Sequence, residues 1–87
     1  MTTVRIPQEM QVYTQDLAVV TVSGNNVRQL IDELEKAYPG IKNQLMDEDK
    51  LKATLTIFVD GQLTRLGLLQ PVTDDNEVIF FPAIVGG

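Results

Sequence analysis

Apolar and polar positions change their spacing several times along the chain, and each change marks an element. Thr3-Val4-Arg5-Ile6-Pro7 alternates over a few residues and predicts a first strand that ends at Pro7, which has no N–H to give to a ladder. Gln8 to Gln15 predicts a turn in which Met10, Val12 and Tyr13 still pack. Leu17 to Val22 is rich in β-branched residues and predicts a second strand, close enough to form a hairpin with the first. A breaker cluster, Ser23-Gly24-Asn25-Asn26, follows. Beyond it Val27, Leu30, Ile31, Leu34 and Tyr38 recur at the spacing of one buried helical stripe, so a helix is predicted over 27–38. Asn26 is placed to cap it, Gln29 gives a weakened capping box, and Pro39-Gly40 stops it.

The second half is more broken. Ile41, Leu45 and Met46 predict a short helical turn, and Asp47-Glu48-Asp49-Lys50 reads as a solvated loop. Leu55, Ile57 and Val59 then share one face of a strand, and Asp60-Gly61 signals a tight turn into a short return strand over Gln62 to Arg65. Leu66 to Val72, interrupted by Gly67 and Pro71, predicts a compact turn. Asp74-Asp75-Asn76 is a second turn, and Glu77 to Pro82 is the last strand, with Val78 and Phe80 inward and Ile79 and Phe81 outward. The order predicts an α+β domain with one main helix packed across a mixed sheet, its final strand central. The 87 residues read as one domain over 1–83 followed by a flexible tail over 84–87.

Composition narrows the chemistry. Twelve acidic against seven basic residues give a net charge of −5, and the basic ones are dispersed, so neither nucleic acid nor an anionic membrane is an expected partner. The start of the chain lacks the basic and long apolar stretches of a signal peptide, so a cytoplasmic location is expected. Cysteine and histidine are both absent. Disulfides, thiolate nucleophiles, Cys or His zinc sites and Ser-His catalysis are thereby excluded. Oxygen-only Mg²⁺ or Ca²⁺ sites stay open to such a composition, but Asp47-Glu48-Asp49 lacks the alternating ligand spacing of a calcium loop and reads as a solvated run, and Asp74-Asp75 with Glu77 reads as an acidic turn, so no bound metal or cofactor is expected.

The sequence closes on Gly86-Gly87 a few residues after the last predicted strand. Two glycines are the narrowest backbone available and pass where a side chain would clash. The reading is that the terminal carboxylate is itself the functional group, with a chemically silent tail on an interaction subunit as the alternative.

The Tyr38-Pro39-Gly40-Ile41 helix exit, the Ile57-Phe58-Val59-Asp60-Gly61 hairpin and the ending Glu77-Val78-Ile79-Phe80-Phe81-Pro82-Ala83-Ile84-Val85-Gly86-Gly87 together resemble the ubiquitin-like sulfur carriers. That family includes the small subunit of molybdopterin synthase, the thiamine sulfur carrier and the carriers for cysteine synthesis. The resemblance implies a ubiquitin-like β-grasp with a mixed sheet of four to five strands. It implies a protein co-substrate, or the small subunit of an enzyme complex, rather than an enzyme. An E1-like enzyme would adenylate Gly87 with ATP and Mg²⁺, and a sulfur donor would convert it to a thiocarboxylate for an acceptor enzyme. Ile84, Val85 and Gly86 would enter the partner's channel, and Ile79, Phe81 and Pro82 would form the docking face. Glu77-Val78 and Phe80-Phe81-Pro82 are similar to the molybdopterin type, while the Pro82-Ala83 step and Leu45-Met46-Asp47 look closer to the cysteine type. A ubiquitin-like modifier that forms isopeptide bonds shares the same activation step and is the other implied role.

Overall fold

In a computed structural model, which describes residues 1–83, five strands form one mixed sheet and a single long helix covers one face of it. Strand β1 (Thr2–Arg5) pairs antiparallel with β2 (Val19–Val22), Val4 lying opposite Val20. Helix α1 (Val27–Ala37) and the single-turn helix α2 (Ile41–Leu45) follow. A two-residue pair, β3 (Met46–Asp47) and β4 (Lys50–Leu51), leads to β5 (Leu55–Val59) and β6 (Gln62–Leu63). The last strand, β7 (Glu77–Pro82), lies between β1 and β5 in the order β2-β1-β7-β5-β6, parallel to β1 and antiparallel to β5.

The core follows from two periodicities meeting. Val27, Leu30, Ile31 and Leu34 on α1 are fully buried, and they face Val4, Val20, Val22, Leu55, Ile57, Val78 and Phe80 from alternate positions of the sheet. Asn26 caps α1 as its pattern predicts: Gln29 N–H donates to Asn26 Oδ1 at 2.9 Å, and Gln29 Oε1 accepts from Asn25 N–H at 2.8 Å. At Gly40, φ is +102° and an added Cβ would lie 2.9 Å from the Tyr13 ring, so the α1–α2 corner admits glycine alone without rearrangement. Asp60-Gly61, both at positive φ, makes the tight turn between β5 and β6.

Several predicted boundaries move. Gln8–Thr14 is a 3₁₀ helix rather than an irregular turn; it buries Met10 and Thr14 and half-buries Tyr13, but Val12 is 75% exposed and does not pack. The physical reason is spacing, since three residues per turn puts Val12 on the solvent side when Met10 and Tyr13 face inward. Strand β1 ends at Arg5, and Ile6 N–H still donates to Ala18 O at 2.8 Å. Strand β2 begins at Val19 because the Leu17 N–H turns back to Thr14 O. The Asp47-to-Lys50 stretch is a two-residue hairpin and not a loop: Met46 and Leu51 pair and pack on the core, and Glu48 takes positive φ. The return strand stops at Leu63, as Thr64 and beyond feed a 3₁₀ turn over Gly67–Leu69.

Glu35 holds the corner after α1. Its carboxylate accepts from Gly40 N–H at 3.0 and 3.1 Å and from Lys42 N–H at 2.9 Å. These backbone donors, Gly40 first and Lys42 second, favour the charged form and lower its pKa from the ordinary 4.5. A depressed carboxylate pKa stabilises the fold above the ordinary value and loses that contribution as pH falls through the folded value. The melting temperature of Glu35→Gln should therefore fall furthest below the parent at neutral pH, and the gap should close on acidification below 4.5. A gap independent of pH would show that the carboxylate charge is not what holds this corner.

Candidate functional site

The functional reading concerns the outer face of the sheet at the end where β7 delivers the chain. Alternation along β7 buries Val78 and Phe80 at 0% and 1% exposure and turns Ile79 and Phe81 to the other face. There Ile79 is half-buried and Phe81 is 51% exposed, whereas Pro82, two residues past Phe80, falls by the same alternation on the opposite face, where it is exposed at the strand end. Of the three residues expected on one docking surface, Ile79 and Phe81 thus share the outer face and Pro82 does not, because a strand turns successive side chains to opposite sides. Ladder bonds carry β7 to the last described residue, where Ala83 N–H donates to Thr54 O at 2.7 Å.

The register adds residues that sequence reasoning did not select. Phe58 of β5 lies opposite Ile79, and Thr56 lies opposite Phe81. The Phe58 and Phe81 rings meet edge to face, with centroids 6.3 Å apart at 82°. Phe58, Gly61, Ile79 and Phe81 line a shallow apolar recess of about 230 Å³. Leu63, opposite Phe58 and 55% exposed, extends the apolar surface to the β6 edge. Toward β2 the surface meets Arg5, which lies beside Ile79 and donates from Nε to Glu77 at 3.1 Å, and then the exposed Val19. Phe58 had a signal in the sequence, since Leu55, Ile57 and Val59 inward require Thr56 and Phe58 outward. Leu63 and Val19 had none, because which strands adjoin β7 is not written in local spacing.

The remaining expected residues, Ile84, Val85, Gly86 and Gly87, lie outside the described residues. Among the described residues no three His, Cys, Asp or Glu side chains are grouped to hold a metal ion, and no helix is long and apolar enough to cross a membrane. Two of the acidic positions have structural duties. Asp60 accepts from Glu77 N–H at 2.8 Å and from Asn76 Nδ2 at 2.6 Å, and Asp74 lies 3.1 Å from the Met1 amino group. The exposed apolar recess on this face is a surface suited to binding a protein.

A single long helix crossing a five-stranded mixed sheet with β7 central is the ubiquitin-like β-grasp. A model of the ThiS family matches residues 4–87, and the chain belongs to that family of sulfur carriers. It is 33% identical over 90 residues to the sulfur carrier protein CysO of Mycobacterium tuberculosis, an alignment covering 98% of this chain and 97% of that one. Among solved structures it matches a chain of the Amycolatopsis orientalis BexX/CysO complex with a TM-score of 0.90, 31% identity and full coverage of both chains. The crystal structure of Mycobacterium tuberculosis CysO matches with a TM-score of 0.89 and 31% identity, covering 97% of this chain and 100% of that one.

The two neighbouring phenylalanines should separate fold from surface. Phe80→Ala empties the core and should cost about 3–5 kcal/mol in denaturant unfolding. Phe81→Asp loses little beyond its edge contact with Phe58 and should cost only about 1 kcal/mol. Equal costs would mean that Phe81 belongs to the core and is not free to meet a partner.

Proposed function

We propose that this chain carries sulfur on Gly87 as a thiocarboxylate and delivers it to an acceptor enzyme of the cysteine-synthase type. The observation that carries the pathway is the 33% identity to CysO over nearly the whole of both chains. The Pro82-Ala83 step agrees with it. Molybdopterin and thiamine synthesis are the competing destinations.

The chemistry starts from an inert group. A terminal carboxylate has a pKa near 3.5, so at neutral pH it is an anion that resists nucleophiles. An E1-like enzyme would supply ATP and Mg²⁺. A carboxylate oxygen of Gly87 attacks the α-phosphorus, pyrophosphate leaves, and an acyl-adenylate forms. Sulfur from a donor then attacks the acyl carbon, the carbon–oxygen bond to AMP breaks, and the thiocarboxylate remains. No cysteine of the carrier takes part, in keeping with a sequence that has none. Gly86 gives the tail the narrow passage it needs, Ile84 and Val85 fill the approach, and Ile79, Phe81 and Pro82 seat the partner. The half-exposed Phe81 beside the apolar recess supports that last role, because aromatic anchors carry a large share of binding energy at interfaces. The Amycolatopsis orientalis BexX/CysO complex holds a relative of this chain with another protein and supports docking as the working state.

Incubating the chain with lysate of its source, ATP, Mg²⁺ and sulfide should raise its intact mass by the replacement of one oxygen with sulfur, mapped to the C-terminal peptide. Deleting Gly87 should abolish the gain while the domain stays folded. Sulfur loading of the truncated chain would sink the proposal. A thiol-resistant ladder of high-mass conjugates of a tagged form would instead assign the modifier role. Phe81→Asp should weaken binding to the activating enzyme by about 2 kcal/mol. Unchanged affinity would remove Phe81 from the docking face.

A further inference from the structure

The two outer strands of the sheet are finished differently. On one side β6 has only two residues, and because Thr64 N–H donates to Ile57 O, Leu63 is its one position whose backbone groups point away from β5. So short an edge gives another strand little to pair with. On the other side β2 runs through four consecutive partners on β1 with no bulge. Ile6 N–H donates to Ala18 O at 2.8 Å, which fixes the alternation: residues 18, 20 and 22 turn their backbone groups to β1, and Val19 and Thr21 turn theirs away from the sheet. Among the described residues no strand lies beyond β2, and no bond reaches the N–H or C=O of Val19 or Thr21.

Folded proteins guard a bare edge with charged side chains, proline, a bulge or a covering segment. Between Leu17 and Val27 there is neither a charged residue nor a proline, and four of the six residues over 17–22 are β-branched. The side chains alternate as the backbone does. Val20 and Val22 are buried in the core, whereas Val19 and Thr21 are exposed on the outer face. Val19 lies beside Arg5, and Arg5 beside Ile79, so the edge runs directly into the docking face. Asp16 precedes the strand, and Glu9 borders the same recess as Ala18; both are exposed, and neither is in an ion pair among the described residues. The nearest cation, Arg5, is already engaged by Glu77.

We infer that the protein docking on the carrier lays an extended segment of its own along β2, β-branched in its middle and flanked by lysines. The free groups of Val19 and Thr21 alternate donor and acceptor and repeat every two residues, about 6.6 Å, which is the repeat of another strand. A second copy of this chain is the poorer occupant. Joined across a two-fold axis at Val20, two copies would set Val19 against Thr21 and form four backbone bonds. They would also bring together two net charges of −5 and leave both outer faces bare. A junction of two four-residue strands falls far short of the roughly 1,200 Å² that a stable interface buries. A docking protein covers edge and face together, from Val19 across Arg5 and Ile79 to the recess at Phe81. Asp16 and Glu9 then select cationic flanks. This inference rests on the docking reading above, and it names the form of the partner's segment.

The test is a titration of the isotopically labelled full chain with a blocked hexapeptide, alternating valine and threonine between two lysines, read by amide shifts and hydrogen exchange. In the free chain the Val19 and Thr21 amides should exchange fast and those of Val20 and Val22 slowly. The peptide should give saturable shifts centred on residues 18–22 and slow exchange at Val19 and Thr21 by about tenfold at saturation. Methylating its four internal nitrogens removes the donors and keeps side chains and charge, and should weaken binding at least about tenfold. Glutamates in place of the lysines should weaken it about tenfold at low salt, with the gap narrowing as salt rises. Val19→Pro deletes one outward donor and no ladder bond, so the domain should fold and lose the response; the methylated peptide decides the matter should that variant fail to fold. Shifts that do not saturate or that centre away from β2, or equal binding of the methylated peptide, would overturn the inference. So would protection of Val19 and Thr21 that rises with chain concentration alone, which assigns the edge to a second copy. No partner enzyme is present in this titration. Its failure leaves the Phe81→Asp result and sulfur loading standing, and their failure leaves the titration unaffected.

Discussion

Strand β7 is bonded on both sides, to β1 in parallel and to β5 in antiparallel, and its inward residues Val78 and Phe80 fill the space between sheet and helix. Everything else in the domain is arranged around that strand. The β1–β2 hairpin gives it one neighbour, the β5–β6 hairpin gives it the other, and the stripe of α1 closes over its side chains. Because alternate residues of a strand point to opposite faces, the burial that fixes Val78 and Phe80 also fixes Ile79 and Phe81 on the surface. Core packing and the exposed apolar patch are therefore set by one register. A slip of one residue would bury Ile79 and Phe81 and expose Val78 and Phe80, a change far too costly for the fold to tolerate.

Much of this was legible in local spacing. The stripe of α1, its Asn26 cap, the Asp60-Gly61 turn and the inward–outward order of β7 all follow from periods that a single segment carries. The misread stretches share one cause. Val12 and the Asp47-to-Lys50 hairpin lie in elements too short to show their own period, one 3₁₀ segment with three residues per turn and one pair of two-residue strands. The docking face divides in the same way. The outward turn of Ile79 and Phe81 could be read from their own strand, whereas Leu63 and Val19 join the face only once the strand order is known.

Charge and apolarity divide the labour of recognition on this chain. Most acidic residues lie away from the apolar patch, on the outer side of α1, the β3–β4 hairpin and the turn before β7. A net charge of −5 acts at a distance on encounter rate and is screened by salt, while desolvation of Phe58, Ile79 and Phe81 acts only at contact. A carrier that must visit more than one partner benefits from that division, since attraction at a distance need not lengthen the bound state.

The central place of β7 also has a consequence for synthesis. Its partner strand β1 lies more than seventy residues earlier, with Thr3 opposite Glu77. Contacts so far apart in the chain form slowly, because a long loop must close before they give anything back. On the ribosome, the β1–β2 hairpin and α1 emerge with their apolar faces uncovered and stay so until Phe80 has cleared the exit tunnel. The fold thus contains its own checkpoint. A polypeptide cut short before β7 has no core to hide, and it is open to proteases and chaperones instead of circulating as a folded carrier that could occupy a partner without delivering anything.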